Sequence, residues 1–172
     1  AELASKLCSY GDYLTINVSS PNTPGLTRLQ EPEYLESLVH GVVVADESCR
    51  RRIGKSPRPI FVKISLDLSD EAVTQVVQIL VEVGASGIII GNTRAHFRPD
   101  SLTRRDLASA KLLGRYSGPQ NFDRALSLVR LVKAMKTNLV IIAAGGIDSG
   151  VRARKIIDAG ADLIQIYTAL IY

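Results

Sequence analysis

The segment from Asn17 to Thr23 holds the densest group of polar side chains in this sequence that could do chemistry. It consists of Asn17-Val18-Ser19-Ser20-Pro21-Asn22-Thr23 and follows a short apolar run. Amides and hydroxyls crowded at the end of a strand suit a polar, planar ligand, because each can donate or accept a hydrogen bond. The same residues could instead form an Asx or Ser turn stabilised by Pro21. The segment by itself leaves both interpretations open.

Lys63 is a charged residue inside the apolar run Ile60–Ile64. An unpaired ammonium is costly inside a buried strand. We therefore expect an anionic partner for Lys63. That partner is either an anionic ligand or a protein carboxylate in a buried salt bridge.

Further polar or glycine pairs follow the other apolar runs. Glycines at a strand end let backbone amides approach an anion, and a following helix N-terminus adds its dipole. Taken singly, each pair also fits a tight turn. The pairs are Asn92-Thr93, Ser117-Gly118, Gly145-Gly146 and Tyr167-Thr168.

The elements that would position these residues alternate between strands and helices. The apolar runs are continuous rather than alternating, which is typical of strands buried on both faces of a parallel sheet. The strands are predicted at Tyr13–Val18, Ile60–Ile64, Gly87–Ile90, Leu139–Ala144 and Leu163–Tyr167. The helices are predicted at Glu31–Val44, Asp70–Val83, Asp123–Met135 and Gly150–Ala159. This order is a repeat of strand–helix units.

Helix signals support these bounds. Pro32 lies in the first turn of its helix, and Ser69 can cap the next one. Gly84 and Gly160 can end two of the helices. The stretch 91–121 is too long for a simple connection, and residues 103–113 could form a short helix.

Five parallel strands fit two α/β architectures: an open doubly wound sheet, or part of an eight-stranded barrel of about 250 residues. Periodicity does not separate the two. Both folds bind ligands at the carboxyl ends of the strands, where Asn17, Ser65, Asn92, Gly145 and Thr168 lie.

The composition is that of one ordinary globular domain: 172 residues, 46% hydrophobic and 22% charged. It contains neither an apolar run long enough for a membrane-spanning helix nor the regions of a signal peptide. Because the chain starts at Ala1 and stops at Tyr172 directly after a strand-like run, we expect it to come from a longer protein.

The charge balance is basic, with a net charge of +4 and a pI near 9.2. Aromatic residues make up 5% of the sequence, and no nucleic-acid motif is present, so a solvated basic surface is favoured over a nucleic-acid partner. Basic residues cluster between Arg94 and Arg115, where an anionic ligand or membrane surface could bind.

Cys8 and Cys49 have no metal-ligand spacing and form no dense disulfide framework. We expect buried or free thiols in a reducing compartment. The sequence predicts no metal site.

The polar segments together resemble those of the dihydroorotate dehydrogenases, and the resemblance extends over nearly the whole chain. Ser20 falls where the quinone-linked, class 2 enzymes have a catalytic serine base, whereas the class 1 enzymes typically have cysteine. Lys63 matches the lysine that reaches the pyrimidine edge of the flavin. Asn92 and Thr93 match a substrate-contacting pair.

The resemblance implies a site for FMN and a site for dihydroorotate. The implied FMN-binding residues are Asn17, Lys63, Gly91, Ser117, Gly118, Gly145, Gly146, Tyr167 and Thr168. The implied substrate-binding residues are Asn17, Asn22, Asn92 and Thr93.

The resemblance also implies the fold and the reaction. Residues 1–172 would form part of an FMN-dependent (β/α)₈ barrel, carrying about strands four to eight. The reaction would be oxidation of dihydroorotate to orotate in de novo pyrimidine biosynthesis, with quinone taking the electrons. The protein would contact the inner mitochondrial membrane in a eukaryote, or the cytoplasmic membrane in a bacterium, through a preceding N-terminal part.

Two segments depart from the family pattern. Gly91-Asn92-Thr93-Arg94 replaces Thr-Asn-Thr-Thr, which removes a flavin-facing hydroxyl and adds a cation. The segment from Gly114 to Gln120 replaces Gly-Gly-Leu-Ser-Gly-Lys-Pro, so that Arg115 stands in place of a glycine. Flavin binding is the step most affected. An inactive barrel-derived subunit or binding module is therefore an alternative, and so is a flavin barrel acting on another heterocycle.

Overall fold

A five-stranded parallel sheet forms the centre of the computed structural model, which describes residues 1–20, 22–94 and 115–171. The strands are β1 (Leu14–Asn17), β2 (Ile60–Ile64), β3 (Gly87–Ile90), β4 (Val140–Ala144) and β5 (Leu163–Gln165). Their spatial order is their order along the chain. A doubly wound sheet reverses its strand order at a switch point, whereas a barrel does not. The structure therefore confirms the (β/α)₈ barrel prediction, with this chain as one part of the barrel.

Helices connect the strands. They are α1 (Glu2–Leu7), α2 (Pro32–Arg52), α3 (Asp70–Glu82), α4 (Phe122–Ala134) and α5 (Gly150–Asp158). Short 3₁₀ helices occupy Leu26–Gln30, Pro119–Asn121 and Thr168–Leu170. Within the described ranges, none of the helices combines the length and apolarity needed to span a bilayer. The possible helix at 103–113 lies outside the described residues.

Helix α3 shows how the local sequence sets these elements. The Ser69 side chain accepts a hydrogen bond from the amide of Ala72 at 3.2 Å, and Gly84 follows the helix with φ +74°. Val73, Val77 and Leu80 are fully buried against the sheet. Each such side chain stabilises the fold by about 1.5–3 kcal/mol relative to an exposed one. The predicted cap and stop are both confirmed.

The two faces of the sheet carry different residues. One face packs against the helices in the main hydrophobic core. The other, here called the Phe61 face, holds a small cluster of Phe61, Ile89 and Ile142. Because side chains alternate along a strand, Lys63 lies on the Phe61 face two residues after Phe61. Its register neighbour on β1 is Asn17.

The outer strands differ from the sequence prediction. Strands β1 and β5 are shorter than predicted, so Tyr167 follows β5 rather than ending it. Leu163 and Ile164 are 55% and 37% exposed. Burial on both faces was expected for these residues and is wrong for β5, because β5 pairs with β4 alone among the described strands.

The expectation of thiols is also wrong, although both cysteines are buried as expected. Cys8 and Cys49 form a disulfide with an S–S distance of 2.09 Å. Helix α2 continues past the predicted end at Val44 as far as Arg52, which brings Cys49 beside the end of α1. The short helix α1 itself was not predicted. The Arg50 Nη1 group donates a hydrogen bond to the Cys8 carbonyl at 3.0 Å, so this contact does not rest on the disulfide alone.

Candidate functional site

A cleft of about 660 Å³ lies at the carboxyl ends of the strands, within the size range of small-molecule sites. Most of the predicted site residues line it: Lys63, Gly91, Asn92, Thr93, Ser117, Gly118, Gly145, Gly146, Tyr167 and Thr168. Pro119, Asn121, Asp148 and Gln165 also contribute to the lining. The structure thus brings together segments that are far apart in sequence.

Lys63 reaches the cleft from the Phe61 face and is about half-buried. Burial lowers the pKa of its ammonium, because desolvation penalises the charged form. The Lys63 side chain makes neither a hydrogen bond nor a salt bridge with any described residue. A structural ion pair, the alternative considered for Lys63, therefore has no carboxylate partner in the described part of the chain.

Asn17 and Asn92 are joined through Ser19. The Asn92 Nδ2 group donates to Ser19 Oγ at 2.8 Å, and Ser19 Oγ donates to Asn17 Oδ1 at 2.9 Å. The Ser19 amide also donates to Asn17 Oδ1 at 3.2 Å. Ser19 is fully buried, so this chain of bonds fixes the orientation of both amides. Asn92 lines the cleft, whereas Asn17 is exposed and is linked to Asn92 only through Ser19.

Three predicted residues, Asn17, Ser20 and Asn22, are not among those that line the cleft. Ser20 is half-buried beside Ser19, and Asn22 is exposed. Between them, Pro21 falls outside the described residues.

Glycines form the wall of the cleft because no other residue fits there. Gly91 has φ +132°, and a Cβ at that position would lie 1.7 Å from the Ala144 carbonyl oxygen. Gly146 has φ +69°, and its Cβ would lie 2.6 Å from the Phe122 amide nitrogen. Since Phe122 begins α4, the turn at Gly145-Gly146 packs against a helix N-terminus, the arrangement that favours an anion.

Arg152 on α5 holds this glycine turn in place. Its Nη1 group donates to the Gly146 carbonyl at 3.1 Å and to Asp148 Oδ2 at 2.7 Å. The guanidinium also lies over the Phe122 ring, 5.0 Å from the centroid. The Asp148 carboxylate would repel an anionic ligand, and its pairing with Arg152 offsets that charge.

Hydroxyls close the far side of the cleft. Ser117 Oγ and Thr168 Oγ1 lie 2.6 Å apart and share a hydrogen bond. This bond joins the 3₁₀ helix that follows β5 to the segment preceding α4. Tyr167 is 78% exposed.

The two arginines that depart from the family pattern do not line this cleft. Arg94 Nε lies 3.0 Å from Asp67 Oδ1 in a partly buried ion pair. Arg115 is exposed and lines a second cleft together with Asp67, Gln30 and Ser65. We expected these added cations to lie on the cofactor side of the site. Among the described residues, Arg94 and Arg115 instead lie near Asp67, which follows β2.

Sequence reasoning missed several contributors to the site. Ser19 was seen only as part of a polar segment, and Arg152 was not singled out. Asn121 and Gln165 carried no motif at all. Gln165 could have been found from strand alternation, because it lies opposite Ala144 in the register.

The sequential parallel sheet and its strand-end cleft define the class of (β/α)₈ barrel proteins, whose active sites lie at the carboxyl ends of the strands. The family model described as dihydroorotate dehydrogenase matches residues 1–172. The chain belongs to the dihydroorotate dehydrogenase family.

Individual relatives agree with the family match. The chain is 40% identical over 168 residues to the dihydroorotate dehydrogenase (quinone) of Chloroflexus aurantiacus, covering 97% of this chain and 46% of that relative. It is 39% identical over 165 residues to the mitochondrial dihydroorotate dehydrogenase (quinone) of Schizosaccharomyces pombe, covering 95% and 36%. The chain therefore spans less than half the length of these relatives.

A solved structure gives the same result for the fold. The crystal structure of the Eimeria tenella enzyme in complex with ferulenol matches with a TM-score of 0.84 and 31% identity. The match covers 99% of this chain and 48% of that one.

Proposed function

We propose that this chain supplies the FMN-holding part of a quinone-linked dihydroorotate dehydrogenase. The observation that carries the proposal is the unpaired, half-buried ammonium of Lys63 in a cleft whose opposite wall is a glycine turn against the start of α4. A ligand that develops negative charge on a ring and carries an anionic group would complement both the Lys63 ammonium and the glycine turn. FMN has both features.

The described residues fit such a ligand. The backbone at Gly145-Gly146 and the hydroxyls of Ser117 and Thr168 would hold the phosphate, while Lys63 would face the ring edge that becomes negative on reduction. Gly91 lets β3 approach β4 closely in the wall of the cleft, where any side chain would collide with the Ala144 carbonyl.

The substrate would bind against the linked amides. Asn92 and Asn17 are held in fixed orientations by Ser19, and Asn22 and Thr93 would complete the contacts. Fixed donors and acceptors of this kind lower the entropic cost of orienting the substrate.

Ser20 would remove a ring proton from dihydroorotate. When bound, FMN supplies the acceptor for the hydride and passes the electrons on to quinone. A serine hydroxyl is a weak base at neutral pH, so Ser20 needs a proton relay or a site from which water is excluded. Its half-buried position next to the fully buried Ser19 suits the second requirement.

The pathway, partners and location follow from the reaction. The protein would act in de novo pyrimidine synthesis and meet quinone at a membrane: the inner mitochondrial membrane in a eukaryote, or the cytoplasmic membrane in a bacterium. Membrane contact would come from a part of the protein outside this chain.

The absorption spectrum of the purified full-length protein tests the proposal. We expect flavin bands that bleach when dihydroorotate is added without oxygen and return when quinone is added. A protein without flavin would contradict the proposal and favour a binding module. Flavin that dihydroorotate does not bleach would instead favour a flavin barrel for another heterocycle.

A further inference from the structure

Asn121 presents an unsatisfied hydrogen-bond acceptor within the lining of the cleft. The residue is 2% exposed, and its Oδ1 atom has no hydrogen-bond partner among the described residues. A buried amide oxygen left unpaired is unfavourable, because it has lost its hydrogen bond to water without gaining another. Few buried polar groups in folded proteins lack a partner, so a ligand atom is the natural candidate.

The orientation of the Asn121 amide is fixed. Its Nδ2 group donates to the Tyr116 carbonyl at 3.1 Å, and its backbone amide donates to the Gly118 carbonyl at 3.1 Å. Because a carbonyl can only accept, the amide cannot be flipped without losing the bond to Tyr116. The free atom is therefore the oxygen, and its partner must be a donor.

The position of Asn121 narrows the kind of donor. Its Cβ lies 3.4 Å from the place that a Cβ on Gly145 would occupy, so the residue adjoins the glycine turn. An ionised phosphate has no proton to donate and would be repelled by an amide oxygen. Next to its phosphate, such a ligand carries its hydroxyl donors on a sugar-like chain.

We propose that Asn121 Oδ1 accepts a hydrogen bond from a hydroxyl of the ligand's polyhydroxyl chain, which makes Asn121 a specificity residue for flavins with an intact ribityl group. This inference rests on the proposed binding of FMN. Asn121 would recognise the ribityl chain, whereas Lys63 would contact the ring and Gly145-Gly146 the phosphate.

The test compares two ligands in two proteins. The ligands are FMN and an FMN analogue whose ribityl chain is replaced by an unsubstituted pentyl phosphate, so that the ring and the phosphate are kept. The proteins are the wild type and Asn121→Leu, which has a similar size and no acceptor. We expect Asn121→Leu to weaken the binding of FMN about tenfold more than the binding of the analogue.

The analogue also controls for structural damage, because losing the bond to Tyr116 would weaken both ligands alike. Equal weakening of the two ligands, or no weakening of either, overturns the role of Asn121 while FMN binding by the wild type stands. A wild type that binds neither FMN nor the analogue overturns the proposed function and this inference with it.

Discussion

Ser20 and Ser19 are adjacent serines with different surroundings, so each can be assigned a different effect. Ser20→Ala should lower turnover by about 10²–10⁴-fold, the usual contribution of a general base. Flavin content should be unchanged, because the hydroxyl acts on the substrate. Turnover and the flavin spectrum of the same preparation check this. Normal turnover in Ser20→Ala would reject Ser20 as the base.

Ser19→Ala should act on substrate binding through the amides of Asn17 and Asn92. Removing the Ser19 hydroxyl leaves Asn92 Nδ2 without its acceptor at 2.8 Å and frees the amide to rotate. We expect KM for dihydroorotate to rise about tenfold with a smaller change in kcat, consistent with the loss of one hydrogen bond. Ser19→Thr, which keeps the hydroxyl, is the matched control. A loss of kcat alone would contradict a positioning role.

Lys63 should make the reduction of the bound flavin pH-dependent. Burial lowers the pKa of the free ammonium, and negative charge on the reduced ring favours its protonated form. The stabilisation is therefore complete below the lowered pKa and fades as pH rises through it. Lys63→Met should lower the midpoint potential at neutral pH by about 30 mV or more, equivalent to about 1.4 kcal/mol for two electrons. The variant should also lack the alkaline inflection.

Thermal stability separates this role of Lys63 from a structural one. Without ligand, the desolvated ammonium costs free energy, so Lys63→Met should unfold at the same temperature as the wild type or at a higher one. A clear drop in the melting temperature of Lys63→Met, together with an unchanged potential, would show that Lys63 is a structural ion-pair residue.

At the scale of elements, the close approach of β3 and β4 beside the cleft requires a glycine at position 91. Gly91→Ala places a Cβ 1.7 Å from the Ala144 carbonyl oxygen in a left-handed backbone conformation. We expect a loss of about 3 kcal/mol in the free energy of unfolding, from overpacking and backbone strain. Gly91→Thr, which restores the hydroxyl typical of the family, should destabilise the protein as well.

Gly41 provides the control for this substitution. It lies within α2, and a Cβ there would have no atom within 4 Å. Gly41→Ala should therefore stabilise the protein by about 0.5–1 kcal/mol, the usual gain in a helix interior. Urea unfolding of the variants measures the difference. Equal effects at Gly91 and Gly41 would contradict the close approach of β3 and β4.

The central elements could be predicted because their local signals agree. Strands β2 and β3 have the predicted bounds, and α3 has its Ser69 cap and the stop at Gly84. These strands are covered on both faces, so their continuous apolar runs report burial directly. The position of Lys63 within β2 and of Asn92 at the end of β3 could be predicted for the same reason.

Other elements depend on contacts that the sequence does not encode locally. Helix α1 is only six residues long, too short for periodicity to identify. The last turns of α2 are polar, and the Cys8–Cys49 disulfide joins residues 41 positions apart. Asn121 acquires its significance only when α4 packs against the turn at Gly145-Gly146, a contact between distant segments.

At the scale of the whole molecule, the open sheet determines how the 172-residue chain behaves when expressed alone. Strands β1 and β5 each pair with a single strand in the described part of the structure, and unpaired strand edges promote association. Tyr13, Leu163 and Tyr167 are 57%, 55% and 78% exposed. Apolar surface of this kind is normally covered.

The isolated chain should therefore self-associate or remain loosely packed, and it should not catalyse. Sedimentation and thermal unfolding measure the two properties. The matched variant is Leu163→Lys, which places a charge on the outer strand β5, where Leu163 already contacts solvent. This charge should reduce self-association without lowering the melting temperature, because edge lysines oppose strand pairing between molecules. A wild-type chain that is monomeric and unfolds cooperatively would show that the five-stranded sheet is stable without further strands. Flavin bound to that monomer would show that the described cleft is sufficient for the cofactor.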